Sequence, residues 1–378
     1  MSKKRPATSP GERAVMGPDP ATGPDMLSGP GRRGPARPGS ARPGPDRPLY
    51  SAGSDLLEVQ NLQVRFRQGG RDVWAVNGMS YSLRAGKTLA IVGESGSGKT
   101  VSCRAIMGLL PKAASVAGSV RFEGAELLGL PDATMRAHRG TDVAMVFQDP
   151  ARSLNPTMRI GIQITEAIRT HQAIDKNSAR DRAIELLKLV RIPLPARRFV
   201  EYPHQLSGGM RQRVMIAIAL ACHPKLLIAD EATTSLDVTT QAQIMELLLE
   251  LQQDLDMALM LISHDLGLAA SYSDEVIVMY AGRIVEQAPT QELFAHVRMP
   301  YTKVLLQAIP RLDRPAHALL PVVSGRPPDG MSLPVGCSFA PRCPSAQERC
   351  ARDSPDLEEH EPGHHWACWY PCEDGDSE

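Results

Sequence analysis

The feature that most narrows what this chain can fold into is the junction of "LAIV" with "GESGSGKT" at residues 93–100. A short continuous apolar run is what a buried parallel strand needs, because both of its faces lie against apolar neighbours. The run passes directly into a G-x-x-x-x-G-K-[ST] loop that opens a helix. Gly93, Gly96 and Gly98 permit the tight backbone path. The loop, which also contains Glu94, Ser95 and Ser97, offers backbone N–H groups as a cradle for phosphates. Lys99 then reaches the β- and γ-phosphates, and Thr100 supplies a hydroxyl for Mg²⁺.

Similar apolar runs recur along the chain: "VAMVF" (143–147), "KLLIAD" (225–230), "MALMLIS" (257–263) and "EVIVMY" (275–280). Before the glycine loop, "LLEVQNLQVRF" alternates as a strand should, and "MSYSLRAG" reads as a second strand. Helical periodicity lies between the later runs, as in "ARDRAIELLKLV" and "TQAQIMELLLELQQDL". Strands alternating with helices predict an α/β domain built on a parallel sheet. Residues of about 150–222 read as mainly helical, which predicts an added helical layer.

Three further strand ends carry polar groups. "LLIADE" ends in Asp230, placed to hold the Mg²⁺ shell, and Glu231, placed to polarise an attacking water. "LISHD" ends in His264, and "VFQDP" carries Gln148. Ligands bind at the carboxyl ends of strands in open α/β sheets, which is where all four groups fall. A second phosphate-binding pattern lies about a hundred residues after the first. In "QLSGGMRQRV" (205–214) Ser207, Gly208 and Gly209 precede a helix, whose N-terminus offers free N–H groups to an anion.

The bulk numbers exclude other classes. Lys+Arg and Asp+Glu are both 42, so no excess of positive charge points to nucleic acid. The longest apolar run, Val214 to Cys222, is nine residues, well short of the roughly 20 that span a bilayer. No apolar secretory signal is seen at the N-terminus. A cytosolic setting, where the seven cysteines stay reduced, is the expectation. The first fifty residues hold 11 Pro and 8 Gly, with nine Lys/Arg against four Asp/Glu. Such composition predicts a disordered Pro/Gly/Arg-rich extension over 1–54, favoured as a dispensable tail with Met26 the better translation start, the alternative being a basic arm that touches lipid or nucleic acid.

The order of pieces, from glycine loop through Gln148, "LSGGM", "ADE" and "SLD" (235–237) to His264, resembles the ATP-binding subunit of ABC transporters. The resemblance covers about residues 55–290, within an ABC nucleotide-binding domain expected over 55–298. It implies a P-loop NTPase of ABC type, with a parallel-sheet core, an antiparallel β layer and a helical subdomain. It also implies ATP and Mg²⁺ as cofactors, with Thr100, Gln148 and Asp230 at the metal. Glu231 would be the general base and His264 would steady the γ-phosphate. Ser207, Gly208 and Gly209 would grip ATP held by a second subunit, and Asp237 would link the two sites. An aromatic residue stacks on adenine in this family; Phe66 is the favoured candidate and Trp74 its rival. Ala232 stands where the family commonly has proline, which removes no reacting group. Longer phrases such as "FQDPARSLNP" and "PYTKVLLQAIP" resemble the dipeptide and oligopeptide importer branch, with nickel and glutathione importers phrased alike. The resemblance implies two membrane permeases, a second ATPase subunit and a solute-binding protein as partners, at the cytoplasmic face of the inner membrane. A soluble ABC ATPase acting on nucleic acid or ribosomes is the alternative of a different class. Its usual tandem cassettes or basic surfaces are not seen.

From 299 to 378 the chain is Pro-rich and then Cys-rich, which predicts a separate small module. Cys337, Cys343, Cys350 and Cys368 are spaced by x5, x6 and x17, with Cys372 and His364 as further candidates. In a reducing compartment such a cluster suggests a metal or an iron–sulfur cluster, and the spacing is not that of a zinc ribbon. The importer branch carries a similar segment, associated in some members with a [4Fe–4S] cluster, and zinc or no metal are the alternatives. Cys103 and Cys222 lie in apolar helical context and read as core fillers.

Overall fold

The structure, a computed structural model, describes residues 55–234, 236–309, 325–328, 330 and 333–373. The extension predicted over 1–54, Met26 within it, and Ser235 of the "SLD" motif lie outside the described residues.

Strands are numbered in chain order. An antiparallel sheet joins β1 (Asp55–Gln68), β2 (Arg71–Arg84), β4 (Ala114–Phe122) and β5 (Ala125–Glu126) in the order β2-β1-β4-β5. The central sheet contains β3 (Thr88–Val92), β6 (Val143–Val146), β7 (Leu226–Asp230), β8 (Ala258–Ser263) and β9 (Glu275–Tyr280). It is completed by β10 (Arg283–Pro289), β11 (Glu358–Glu361) and β12 (His364–Trp366), in the order β11-β12-β10-β9-β3-β8-β7-β6. The five strands from β9 to β6 are parallel, and the other three are added antiparallel.

The apolar runs are continuous because two cores share them. Leu89 and Ile91 of β3 pack toward the antiparallel sheet, whereas Ala90 and Val92 pack toward the helices. The same alternation divides Leu226 and Ile228 from Leu227 and Ala229, and Ile277 and Met279 from Val276 and Val278. A strand has period 2, so a run apolar at every position feeds both faces.

Residues 150–222 are helical, with Ile160–His171, Lys176–Leu189 and Gly208–Ala219 the longest segments. Ile160, Ile164 and Ile168 recur at intervals of four and are fully buried, which is the core stripe of an amphipathic helix.

The segment expected to form a separate module at 299–378 is joined to the sheet. β12 pairs with β10 through Glu286 opposite Trp366 and Gln287 opposite His365. The buried His364 Nε2 lies 3.1 Å from Glu286 Oε1, which also accepts from the backbone of Arg298 at 2.7 Å. Tyr280, Tyr301 and Phe339 pack ring on ring, with centroids 4.6–5.3 Å apart. The hairpin covers what would otherwise be an exposed sheet edge.

Candidate nucleotide site

Register brings the polar strand ends to one edge. Val92 pairs with Ser263, Asp230 with Ile262, and Val146 with Ala229. The next residues are therefore Gly93, His264, Glu231 and Phe147 followed by Gln148, all beyond the carboxyl ends of adjacent parallel strands.

The glycine loop is packed from outside. A Cβ on Gly93 would lie 2.2 Å from Met279 O, and one on Gly98 would lie 2.2 Å from Ala75 O. Gly98 (φ 104°) then caps the Lys99–Ile106 helix in a conformation that side chains resist. The Lys99 amine donates to Gly93 O at 2.7 Å and to Glu94 O at 3.0 Å. Burial pushes its pKa down, opposed by the nearby carboxylates of Glu231, Asp230 and Glu94. The buried amine is held over the loop by its own carbonyls. Ser97 is buried with its hydroxyl unpartnered, and Ser95 is exposed.

The Thr100 hydroxyl donates to Asp230 Oδ1 at 2.7 Å. Asp230 is fully buried, its Oδ2 has no hydrogen-bond partner, and burial pushes its pKa up. An unpartnered carboxylate oxygen beside a hydroxyl fits Mg²⁺, a hard cation that takes oxygen ligands. Bound there with ATP, Mg²⁺ would neutralise charge on the β- and γ-phosphates. Glu231 takes the left-handed conformation (φ 47°) just past its strand. Its Oε2 accepts from Gln148 Nε2 at 2.7 Å and from Thr234 Oγ1 at 3.1 Å, and His264 Nδ1 lies 3.7 Å away. Thr234 joins the predicted residues here, and its place three residues after Glu231 in "DEATT" is the local signal for it.

Not every predicted residue joins this cluster. Ser207 caps the Gly208–Ala219 helix, its hydroxyl accepting from Met210 N at 3.3 Å, and both Ser207 and Gly208 are exposed. Asp237 caps the Val238–Asp254 helix, accepting from the backbone and hydroxyl of Thr240 at 3.0 and 2.7 Å. Ser207, Gly208 and Asp237 are all exposed, and the side chains of Ser207 and Asp237 bond only to the helices they cap, so this part of the chain faces outward. Phe66 packs on the core between the two sheets, whereas Trp74 directly precedes Ala75, whose carbonyl abuts Gly98.

The four cysteines surround one small cavity, with Met299, Phe339 and Trp369. Burial pushes the Cys337 and Cys343 thiols up, and burial together with the other three sulfurs pushes Cys368 up to about 12. Among the described residues, only Glu292, Glu361 and His364 bring three metal-type ligand atoms within 4.8 Å of one another. That group is already engaged: Glu361 with Arg298 at 2.9 Å, and His364 with Glu286. No three of the four cysteine sulfurs therefore lie within 4.8 Å of one another, as a closed thiolate site would require. The space between them, about 10 Å³, is small for a four-iron cluster. Either occupant requires local adjustment of the thiols.

Residues 76–234 match the ABC transporter family, and residues 285–350 match the oligopeptide/dipeptide transporter C-terminal region. The oligopeptide transport ATP-binding protein OppD of Salmonella typhimurium is 48% identical over 319 residues, 84% of this chain and 95% of that protein. The chain belongs to the ABC transporter family. The dipeptide transport ATP-binding protein DppD of Bacillus subtilis is also 48% identical, over 83% of this chain and 94% of its own length. Among solved structures, the ATP-binding cassette MJ0796, a dimer in a post-hydrolysis state bound to ADP and Pi, superposes with a TM-score of 0.56 at 26% identity. That likeness covers 62% of this chain and 98% of the cassette. This ABC protein is therefore an ATP-hydrolysing subunit, and its membership implies permease partners and pairing of two such subunits. Among the described residues no helix is long and apolar enough to cross a membrane.

Proposed function

We propose that this subunit hydrolyses ATP to drive import of short peptides, peripheral to the inner membrane at its cytoplasmic face. The observation that carries the reading is the shared strand edge. Thr100 with Asp230 prepares a Mg²⁺ position, and the Glu231 carboxylate is oriented by Gln148 and Thr234. Glu231 acts as general base toward water, with His264 at the γ-phosphate. Ser207, Gly208 and Gly209 complete a second subunit's ATP site, and Asp237 lies at the interface between the two. Trp74 provides the adenine platform. Of two permeases, one would dock on this subunit at a cavity of about 300 Å³ between the central sheet and the helical layer. Leu109, Phe147 and Ala167 line it, and the first two side chains are exposed. A solute-binding protein acts through the complex. The peptide substrate rests on the relatives' names and the C-terminal family match. The four cysteines are proposed to hold a metal, with an iron–sulfur cluster as the first choice and zinc as the second; bound metal would favour thiolates that burial alone disfavours.

A positioned general base contributes about 10²–10⁴-fold to rate. In the assembled complex, Glu231→Gln is expected to retain ATP binding and to lower turnover at least about a hundredfold. Turnover near wild type would remove Glu231 from the mechanism.

A further inference from the structure

Glu94 occupies the first variable position of the phosphate loop, yet both of its polar groups are engaged by the C-terminal segment. The Arg342 guanidinium donates to the two carboxylate oxygens at 2.7 and 2.9 Å, as a fork. The Glu94 backbone N–H donates to the Tyr301 hydroxyl at 2.9 Å. Arg342 also donates to the Tyr280 hydroxyl at 3.2 Å and stacks over that ring, and its side chain is only 5% exposed. The contact spans 248 residues of sequence and joins the cysteine segment to the ATP loop.

From this geometry we infer that Arg342 and Tyr301 are positioning residues for ATP binding. Three glycines make the loop easy to bend and costly to order. Fixing Glu94 at both its backbone and its side chain removes much of that freedom before ATP arrives. The effect reaches the loop lysine, because Lys99 Nζ rests on the carbonyls of Gly93 and Glu94. A bidentate charged pair is stronger and more directional than a neutral hydrogen bond. Arg342 directly precedes Cys343, so the pair ties the cysteine segment to the loop.

The inference rests on ATP being the ligand of this loop, which hydrolysis by the wild-type complex in the same assay checks separately. KM for ATP and kcat are measured on the assembled membrane complex for wild type, Arg342→Ala, Arg342→Lys, Glu94→Gln, Tyr301→Phe and the Arg342→Ala/Glu94→Gln double variant. Arg342→Ala and Glu94→Gln are each expected to raise KM roughly tenfold, with kcat changed far less. The double variant should be no worse than either single one, because both remove the same pair. Arg342→Lys should recover part of the loss, since lysine keeps the charge without the fork. Tyr301→Phe should raise KM more modestly. Should Arg342→Ala fail to assemble, the Lys and Phe variants carry the test. Unchanged KM in the folded variants would overturn the inference, as would additive losses in the double variant.

Discussion

At the scale of single residues, the site is built by burying groups that prefer water. Asp230 is fully buried and its pKa is raised, so the folded chain holds that proton more tightly than the unfolded chain does. A carboxyl shifted upward stabilises the fold most in acid, and the contribution fades as pH rises through the raised value. Near neutral pH the Asp230 charge is therefore a net cost until Mg²⁺ arrives. Asp230→Asn is expected to stabilise the nucleotide-free protein at pH 7 by about 0.5–2 kcal/mol, with the gain shrinking toward acid pH. The same variant should lose Mg²⁺-dependent ATP turnover. Thermal denaturation across pH checks the sign, and a melting temperature lowered at pH 7 would contradict it. Lys99, Thr100, Asp230 and Glu231 were legible in sequence because each sits at a fixed offset from a strand or glycine. Arg342 and Tyr301 were not, because a pairing across 248 residues leaves no local pattern. Phe66 and Trp74 are alike in the sequence, and packing distinguishes a half-buried ring against the core from one next to the residue that abuts the loop.

At the scale of elements, legibility followed apolar content. The buried strands β3, β6, β7, β8 and β9 were readable as runs, since both faces are covered. The first half of β2 is exposed or half-buried up to Ala75 and gave no alternation. β4 carries four consecutive exposed residues and contains Gly118 at φ 108°, which breaks its pattern. β11 reads "EEHE" and has no apolar signal; its register comes from the hairpin with β12. That hairpin leads directly into Cys368, so the cysteine segment is held by the sheet on one side and by the ring cluster at Phe339 on the other. The full chain purified without oxygen is expected to contain iron and acid-labile sulfide, both lost in Cys343→Ser and Cys368→Ser. Zinc in place of iron would select the second occupant, and a protein free of any metal would sink the proposal for this segment.

At the scale of the whole molecule, the described residues contain a complete phosphate loop and a helix start whose serine and first glycine face outward. If the latter completes a neighbour's site, specific ATPase activity of the isolated chain should fall on dilution and should fall again in Ser207→Arg. Activity per chain that is independent of concentration and untouched by that substitution would refute the paired arrangement. The order of elements along the chain was open to reading because each strand is followed by its own connection. The addition of three antiparallel strands was not, because pairing partners depend on which edge is left uncovered. One feature of the sheet also governs how this protein can be edited. Residues of β3, β7, β8 and β9 line two cores in strict alternation. A one-residue insertion in any of them would exchange the linings of both cores downstream and misalign the polar tips beyond. Segments grafted or lengthened in this scaffold therefore belong in connections away from that layer, where an added residue shifts no neighbour's facing.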